Sequence, residues 1–207
     1  MAYPAFPSTP LLDDFNRADG ALGANYSAGA YAAASRIVSN RAVPVAGGAW
    51  SSRYWNPSTF KDCEAWVDLA VLPAGFKVEL YLRAIAGANL NQYTCYITSG
   101  AVNIDKTIAD VSTNIATASV SFAAGDKFGI RCLGNTLSGY RYIANAGGWD
   151  QTPVVSGTDT GSILTTATGN IAFALTDGGT GTVAIDNFGG GAASLEPPPH
   201  AALRVMN

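Results

Sequence analysis

The sequence is short of charge. Lysine, arginine, aspartate and glutamate together make up 13% of its 207 residues, about half the share usual in a globular protein. A surface so poor in charge suits a protein partly covered by something else, although glycine- and threonine-rich β-proteins also stay in solution with few charges. The formal net charge is −3 and the basic residues are scattered singly, which leaves no electrostatic footprint for nucleic acid. Histidine is nearly absent. The one copy, His200, stands in a proline-rich tail, so a Ser-His-Asp or Cys-His arrangement inside the domain is excluded, as is a histidine-based metal site.

Cysteine is scarce too. Cys63, Cys95 and Cys132 are odd in number and far apart, with no Cys-x-x-Cys spacing, which argues against metal or redox chemistry. Each falls in an alternating apolar pattern and reads as a small buried side chain. No apolar run approaches the ~20 residues of a membrane span. The stretch MAYPAFPSTP has neither the basic start nor the apolar centre of a signal peptide, so the expectation is synthesis in a cytoplasm.

What the sequence does contain is alternation with a period of two. In DCEAWVDLAV, Cys63, Ala65, Val67, Leu69 and Val71 share one face, opposed by Asp62, Glu64, Trp66 and Asp68. KVELYLRAI sets Val78, Leu80 and Leu82 against Lys77, Glu79, Tyr81 and Arg83. NQYTCYIT, KFGIRCLG, NIAFALT and TVAIDNF repeat the pattern, and shorter segments bring the total to about a dozen strands joined by Gly-, Asn- and Asp-rich turns. No stretch sustains a 3.6-residue period. One-sided apolar strands at this density predict an all-β fold, a two-sheet antiparallel β-sandwich of the jelly-roll kind. The expected divisions are an extended N-terminal arm over 1–10, the sandwich over 11–189, and a Gly/Pro linker with a C-terminal arm over 190–207. The long segment 145–169 is expected to carry function or to fold into extra structure.

In order, DDFNRADGALG, the VELYLRA…NQYTCYI hairpin, AAGDKFGIRCLGNTLSGYR, TDTGSILTTATGNIAFAL and AIDNF resemble the concanavalin A-like (laminin G-like) jelly-roll domains found in bacteriophage virion proteins. The resemblance covers roughly residues 11–189. It implies that the first strand returns beside the last, bringing Asp13 or Asp14 to face Asp186. Carboxylates and backbone carbonyls are what Ca²⁺ favours, and related domains often hold a structural Ca²⁺ at such a seam. The alternative is that these acids cap strand ends and pair with Arg17, which the residues favour.

Two kinds of site follow from the acids and aromatics. Glycoside hydrolysis needs two carboxyl groups ~5 to 9.5 Å apart, and Glu64 with Asp62 or Asp68 has suitable spacing. The glucanases of this fold, however, carry a compact Glu-x-Asp-x-x-Glu type motif, which DCEAWVD imitates only loosely. The expectation is therefore a protein that is not an enzyme, with no catalytic residues. Trp66, Tyr81, Arg83, Tyr96 and Arg131 read as outward residues of the middle strands. Rings beside hydrogen-bonding charges suit a sugar, a protein contact or a plain solvated sheet face. In this fold that face is commonly concave and binds glycans. Trp149, in GGWDQ, is a further exposed aromatic or a plug over the sandwich edge.

The two ends, one proline-rich and the other running through PPP to the apolar Leu203, Val205 and Met206, should fray in isolation. They read as docking arms. The resulting expectation is a non-enzymatic phage virion protein, a minor tail component or capsid decoration protein. Its partners would be other capsid or tail subunits, with homo-oligomers forming within the particle, and it would have no certain cofactor. The alternative is a carbohydrate-binding module or adhesin that contacts host-surface glycans.

Overall fold

A computed structural model describes residues 5–29, 33–45, 50–85, 89–178 and 182–194. The strands begin with β1 (Leu11–Asp13), β2 (Gly20–Ala21), β3 (Tyr26–Ala28), β4 (Ser35–Val38), β5 (Arg41–Pro44) and β6 (Ser51–Trp55). The longest stretch of regular structure follows, with β7 (Cys63–Val71), β8 (Lys77–Ile85), β9 (Asn91–Ile97), β10 (Val102–Ile108), β11 (Val111–Ala118), β12 (Lys127–Leu133) and β13 (Thr136–Ile143). The chain closes through β14 (Gly148–Trp149), β15 (Val155–Thr158), β16 (Asn170–Thr176) and β17 (Ala184–Ala192). One sheet has the order β14-β13-β12-β7-β17-β5-β4-β2, with β1 on β17 and β15 on β13; the other runs β11-β10-β9-β8-β16-β6-β3. The two antiparallel sheets pack as the expected sandwich.

The inward faces are those the alternation marks. Val67, Leu69, Phe128 and Ile130 from the ten-stranded sheet meet Val78, Leu80, Ile97, Ile171 and Phe173 from the seven-stranded one, all buried in one cluster. Phe173 and Phe188 join the layers edge-on, with centroids 5.3 Å apart. Burial of each such side chain contributes about 1.5–3 kcal/mol, which makes this layer the main stabilising feature. The three thiols are buried and free; burial pushes Cys132 up to about 12, so it stays protonated and inert.

LLDDFNRADGALGANY, residues 11–26, is the seam of the sandwich. β1 pairs with β17, and Asp13 stands opposite Phe188. Asp13 takes both arms of Arg17, at 2.7 and 2.9 Å, and accepts the Phe15 amide at 2.8 Å. That local turn puts Phe15 at φ 53° and drives its ring fully into the core. The acids at the head of the domain therefore shape a turn that buries an aromatic.

Three expectations need correction. Alternation fails at the end of β8, where a register shift lies between Leu82 and Ile85 and Arg83 has φ 50°. Arg83 is therefore not an outward residue; it is fully buried. The expected boundary at 189 falls inside β17, which runs on to Ala192. The N-terminal arm, where described, does not stand free: residues 5–10 lie across the outer face of the ten-stranded sheet. Phe6 stacks on Tyr140 with centroids 4.1 Å apart. Ser8 donates its amide to Glu64 at 2.7 Å. Segment 145–169 folds into β14, β15 and a 3-10 turn at Ile163–Thr165. His200 and the arm residues Leu203, Val205 and Met206 lie outside the described residues.

Candidate functional site

The outer face of the seven-stranded sheet carries a groove of about 470 Å³ over β8, β9 and β10. Its hollow comes from small side chains. Ala172 and Ala174 of β16 stand beside Tyr81 and Glu79, and with Tyr54 and Ala84 they form a small apolar cluster on this face, with Trp50 packed on it. Register then fixes the rest, because Glu79 lies opposite Tyr96 and Tyr81 opposite Thr94, while Thr94 lies opposite Asp105 and Gln92 opposite Thr107. Residues paired across antiparallel strands project to the same side, so an aromatic, amide, hydroxyl and carboxylate surface assembles on one face.

A hydrogen-bonded row crosses the groove. Trp50 Nε1 donates to the Tyr81 hydroxyl at 3.0 Å, which donates to Glu79 Oε2 at 2.9 Å. Lys77 Nζ meets the other Glu79 oxygen at 2.9 Å and stands 4.1 Å from the Tyr96 ring centroid. Burial, with the Glu79 charge second, holds the Tyr81 phenol well above its ordinary value. Tyr96 is raised for the same leading reason, burial, with Asp105 next. Both phenols therefore stay neutral donors and acceptors. Beside them Tyr54 donates to Gln92 at 3.3 Å, and Gln92 donates to Thr94 at 3.3 Å. The row holds polar groups in place; it does not set a free acid beside a free base.

Only some of the expected site residues lie on this surface. Tyr81 and Tyr96 line the groove. Trp66 and Arg131 belong to β7 and β12 of the opposite sheet. Arg131 is nearly fully buried: Nε donates to Glu64 Oε1 at 2.5 Å, Nη2 donates to the Ala5 carbonyl at 2.8 Å, and Phe6 covers the guanidinium. Glu64 is fully buried and also accepts from Thr9 at 3.1 Å, so it is not available to a substrate. Trp66 lies against β17, where a Cβ on Gly189 would stand 2.0 Å from its Cε2. Trp149 is half-buried as the edge wall of Phe6, at 4.8 Å.

Arg83 is a clamp between loops. It donates to the carbonyls of Lys61 at 2.5 Å, Leu164 at 2.8 Å and Gly134 at 2.6 Å, and pairs with Asp62 at 3.2 Å. A buried charge is tolerable only when satisfied in this way, and none of its donors faces a ligand. Trp50, Gln92 and Lys77 were missed as site residues. The one signal for them was the pair of alanines in NIAFALT, which leaves room on the outer face.

No protein-family model matches the chain, and no curated protein matches it. Solved structures do. A carbohydrate-binding module, CBM66 from Bacillus subtilis, superposes with a TM-score of 0.59 at 12% identity, over 85% of this chain and 95% of that one. The exoplasmic/lumenal domain of VIP36 in its Ca²⁺/mannose-bound form gives 0.64 at 12% identity, over 84% and 85%. A legume lectin-like domain from Entamoeba histolytica gives 0.59 at 11% identity, over 89% and 100%. In fold, then, this is a lectin-like, concanavalin A-like β-sandwich.

The seam acids do not form the Ca²⁺ site expected from the sequence resemblance. Both oxygens of Asp13 are held by Arg17, and Asp14 caps the Asn16 amide at 3.0 Å. Asp186 sits on β17, but the described residues hold no group of three or more acids, histidines or cysteines suited to a metal ion.

Proposed function

We propose that this protein is a non-enzymatic carbohydrate-binding β-sandwich whose glycan lies in the groove of the seven-stranded sheet. The observation that carries the reading is the fixed row Trp50–Tyr81–Glu79–Lys77 beside the Tyr96 ring. Sugar hydroxyls need donors and acceptors already held in place, and sugar C–H faces need aromatic or apolar surface. The names of the similar structures support the same class: a carbohydrate-binding module, a mannose-bound domain and a legume lectin-like domain. Among the described residues, Glu79, Asp105 and Asp110 line the groove with Lys77 as the one cation, so the ligand is a neutral sugar; an acidic one would meet like charge.

The finer reading, a phage tail or decoration subunit, draws on the sequence resemblance and on the low charge content. Within it, the groove would be the surface that meets host glycans. The similar structures named above do not bear on it.

Affinity electrophoresis through gels containing neutral polysaccharides tests the site. Retardation of the wild type by at least one polysaccharide is expected, with Glu79→Gln and Tyr96→Ala each weakening affinity about tenfold, the equivalent of 1.4 kcal/mol. Equal retardation of wild type and both variants would remove the groove from the function.

A further inference from the structure

The ten-stranded sheet carries a second groove, of about 330 Å³, at the end away from the N-terminal arm. Its shape starts from a tight hairpin. Ser39 and Asn40 both have positive φ, 51° and 60°, the geometry of a type I′ turn. The turn locks the register of β4 and β5, so that Arg36 lies opposite Val43 and Val38 opposite Arg41. Ile37 and Ala42 of the same strands are buried in the core, so the two arginines and two valines project together from the outer face.

Two properties single this groove out. Seven Lys and Arg side chains of the described residues sit in ion pairs, whereas the exposed side chains of Arg36 and Arg41, like that of Lys61 elsewhere, have no hydrogen bond or ion pair with the described residues, and only in this groove do two such cations stand together. The groove also exposes Val45 and Val71, at 46% and 37%, which flank it on the apolar side. Of the nearby acids, Asp19 accepts the Ser39 amide at 2.8 Å and buried Asp177 accepts the Val183 amide at 2.7 Å, while Asp186, which the pairing of Ile185 with Ala42 sets next to Arg41, forms no ion pair with either arginine. In a chain of net charge −3, two guanidiniums that pair with none of the described residues stand beside an exposed aliphatic floor and form a local positive site.

We propose that this groove is a second binding site, for a small ligand carrying a carboxylate or sulfate group on a compact apolar body. Guanidinium forks match the geometry of such oxyanions, and the valine floor takes the body of the ligand. Polyanions such as nucleic acid are disfavoured, because only two free cations meet them. The ligand class is the one that the acidic groove of the other sheet rejects, so the two sites are independent.

Titrations of the full chain with inorganic sulfate, glucuronate and hexanoate, followed by NMR of the valine methyls and arginine Nε–H groups, test it. Glucuronate or hexanoate should bind saturably with a Kd of about 1 mM or tighter, more tightly than sulfate alone. Hexanoate should bind more tightly than glucuronate, whose hydroxyl-bearing body does not match the valine floor. The Arg36→Gln/Arg41→Gln double variant should melt at the wild-type temperature and bind at least tenfold more weakly. Absence of saturable binding with all three probes, an equal response to sulfate and to both larger acids, or binding unchanged in the double variant would overturn the proposal.

Discussion

The indole of Trp50 and the hydroxyl of Tyr81 lie 3.0 Å apart, a bond that ties the segment before β6 to the middle of β8 across the intervening β16. Tyr81 passes the link to Glu79, so one phenol holds two groove residues that come from different parts of the chain. In Tyr81→Phe the Trp50 indole and Glu79 Oε2 lose this partner, while Lys77 still holds the other Glu79 oxygen. An expected cost of about 1–3 kcal/mol follows from leaving a buried polar group unsatisfied, read as a lower urea midpoint, together with weaker glycan retention.

Glu64 and Arg131 predict a different outcome. Both are almost completely buried, and Glu64 also receives Ser8 and Thr9 from the arm. Glu64→Ala leaves an uncompensated guanidinium inside the protein, so a loss of about 3–5 kcal/mol is expected. Chemical denaturation measures it. Glycan retention at a temperature where the variant remains folded should be unchanged, since the pair lies on the other sheet.

How much of this was legible in the sequence depends on what period-two alternation encodes. It tells which residues of a strand share a face, and so it identified Val78, Leu80 and Leu82 as interior and Glu79 and Tyr81 as exterior. It does not say which sheet a strand joins. Trp66 and Tyr81 are equivalent outward positions on successive strands, yet β7 and β8 belong to opposite sheets, so the expected aromatic face separates into two. Arg83 was illegible for another reason: the bulge that turns it inward depends on the close approach of Gly169, whose absent Cβ would lie 2.4 Å from the Arg83 carbonyl carbon. The Asp13–Arg17 pair was legible because it is local. The seat of Phe6 was not, since it depends on Tyr140, Trp149 and a glycine far along the chain.

That glycine supplies a test of the arm. A Cβ on Gly129 would stand 2.4 Å from Cζ of Phe6 and 3.1 Å from Cβ of Trp66. The ring of Phe6 is the end of a side chain on a terminal segment, so the arm should leave before the sheet distorts. Gly129→Ala is expected to make residues near Phe6 sensitive to brief proteolysis, with a stability loss at the lower end of about 1–3 kcal/mol. A protected arm would mean that the sheet yields first.

Acid should act through Asp159. Burial would raise its pKa, but bonds from Lys106, Ser162 and Tyr93 outweigh that and hold it at about 2, below the ordinary 3.8. The folded state therefore favours the charged form. Its contribution is complete above the ordinary carboxylate value, declines as pH falls from about 4 toward 2, and is gone below that. Urea midpoints measured through this window should fall more steeply for the wild type than for Asp159→Asn, which should already be less stable at neutral pH.

The most direct test of the central claim is a glycan array probed in parallel with wild-type protein and the Glu79→Gln/Tyr96→Ala double variant, each first shown to be folded. The account predicts that the wild type retains at least one neutral glycan and that the variant loses it. Binding confined to acidic glycans, no binding at all, or binding unchanged in the variant would contradict the assignment of the groove on the seven-stranded sheet.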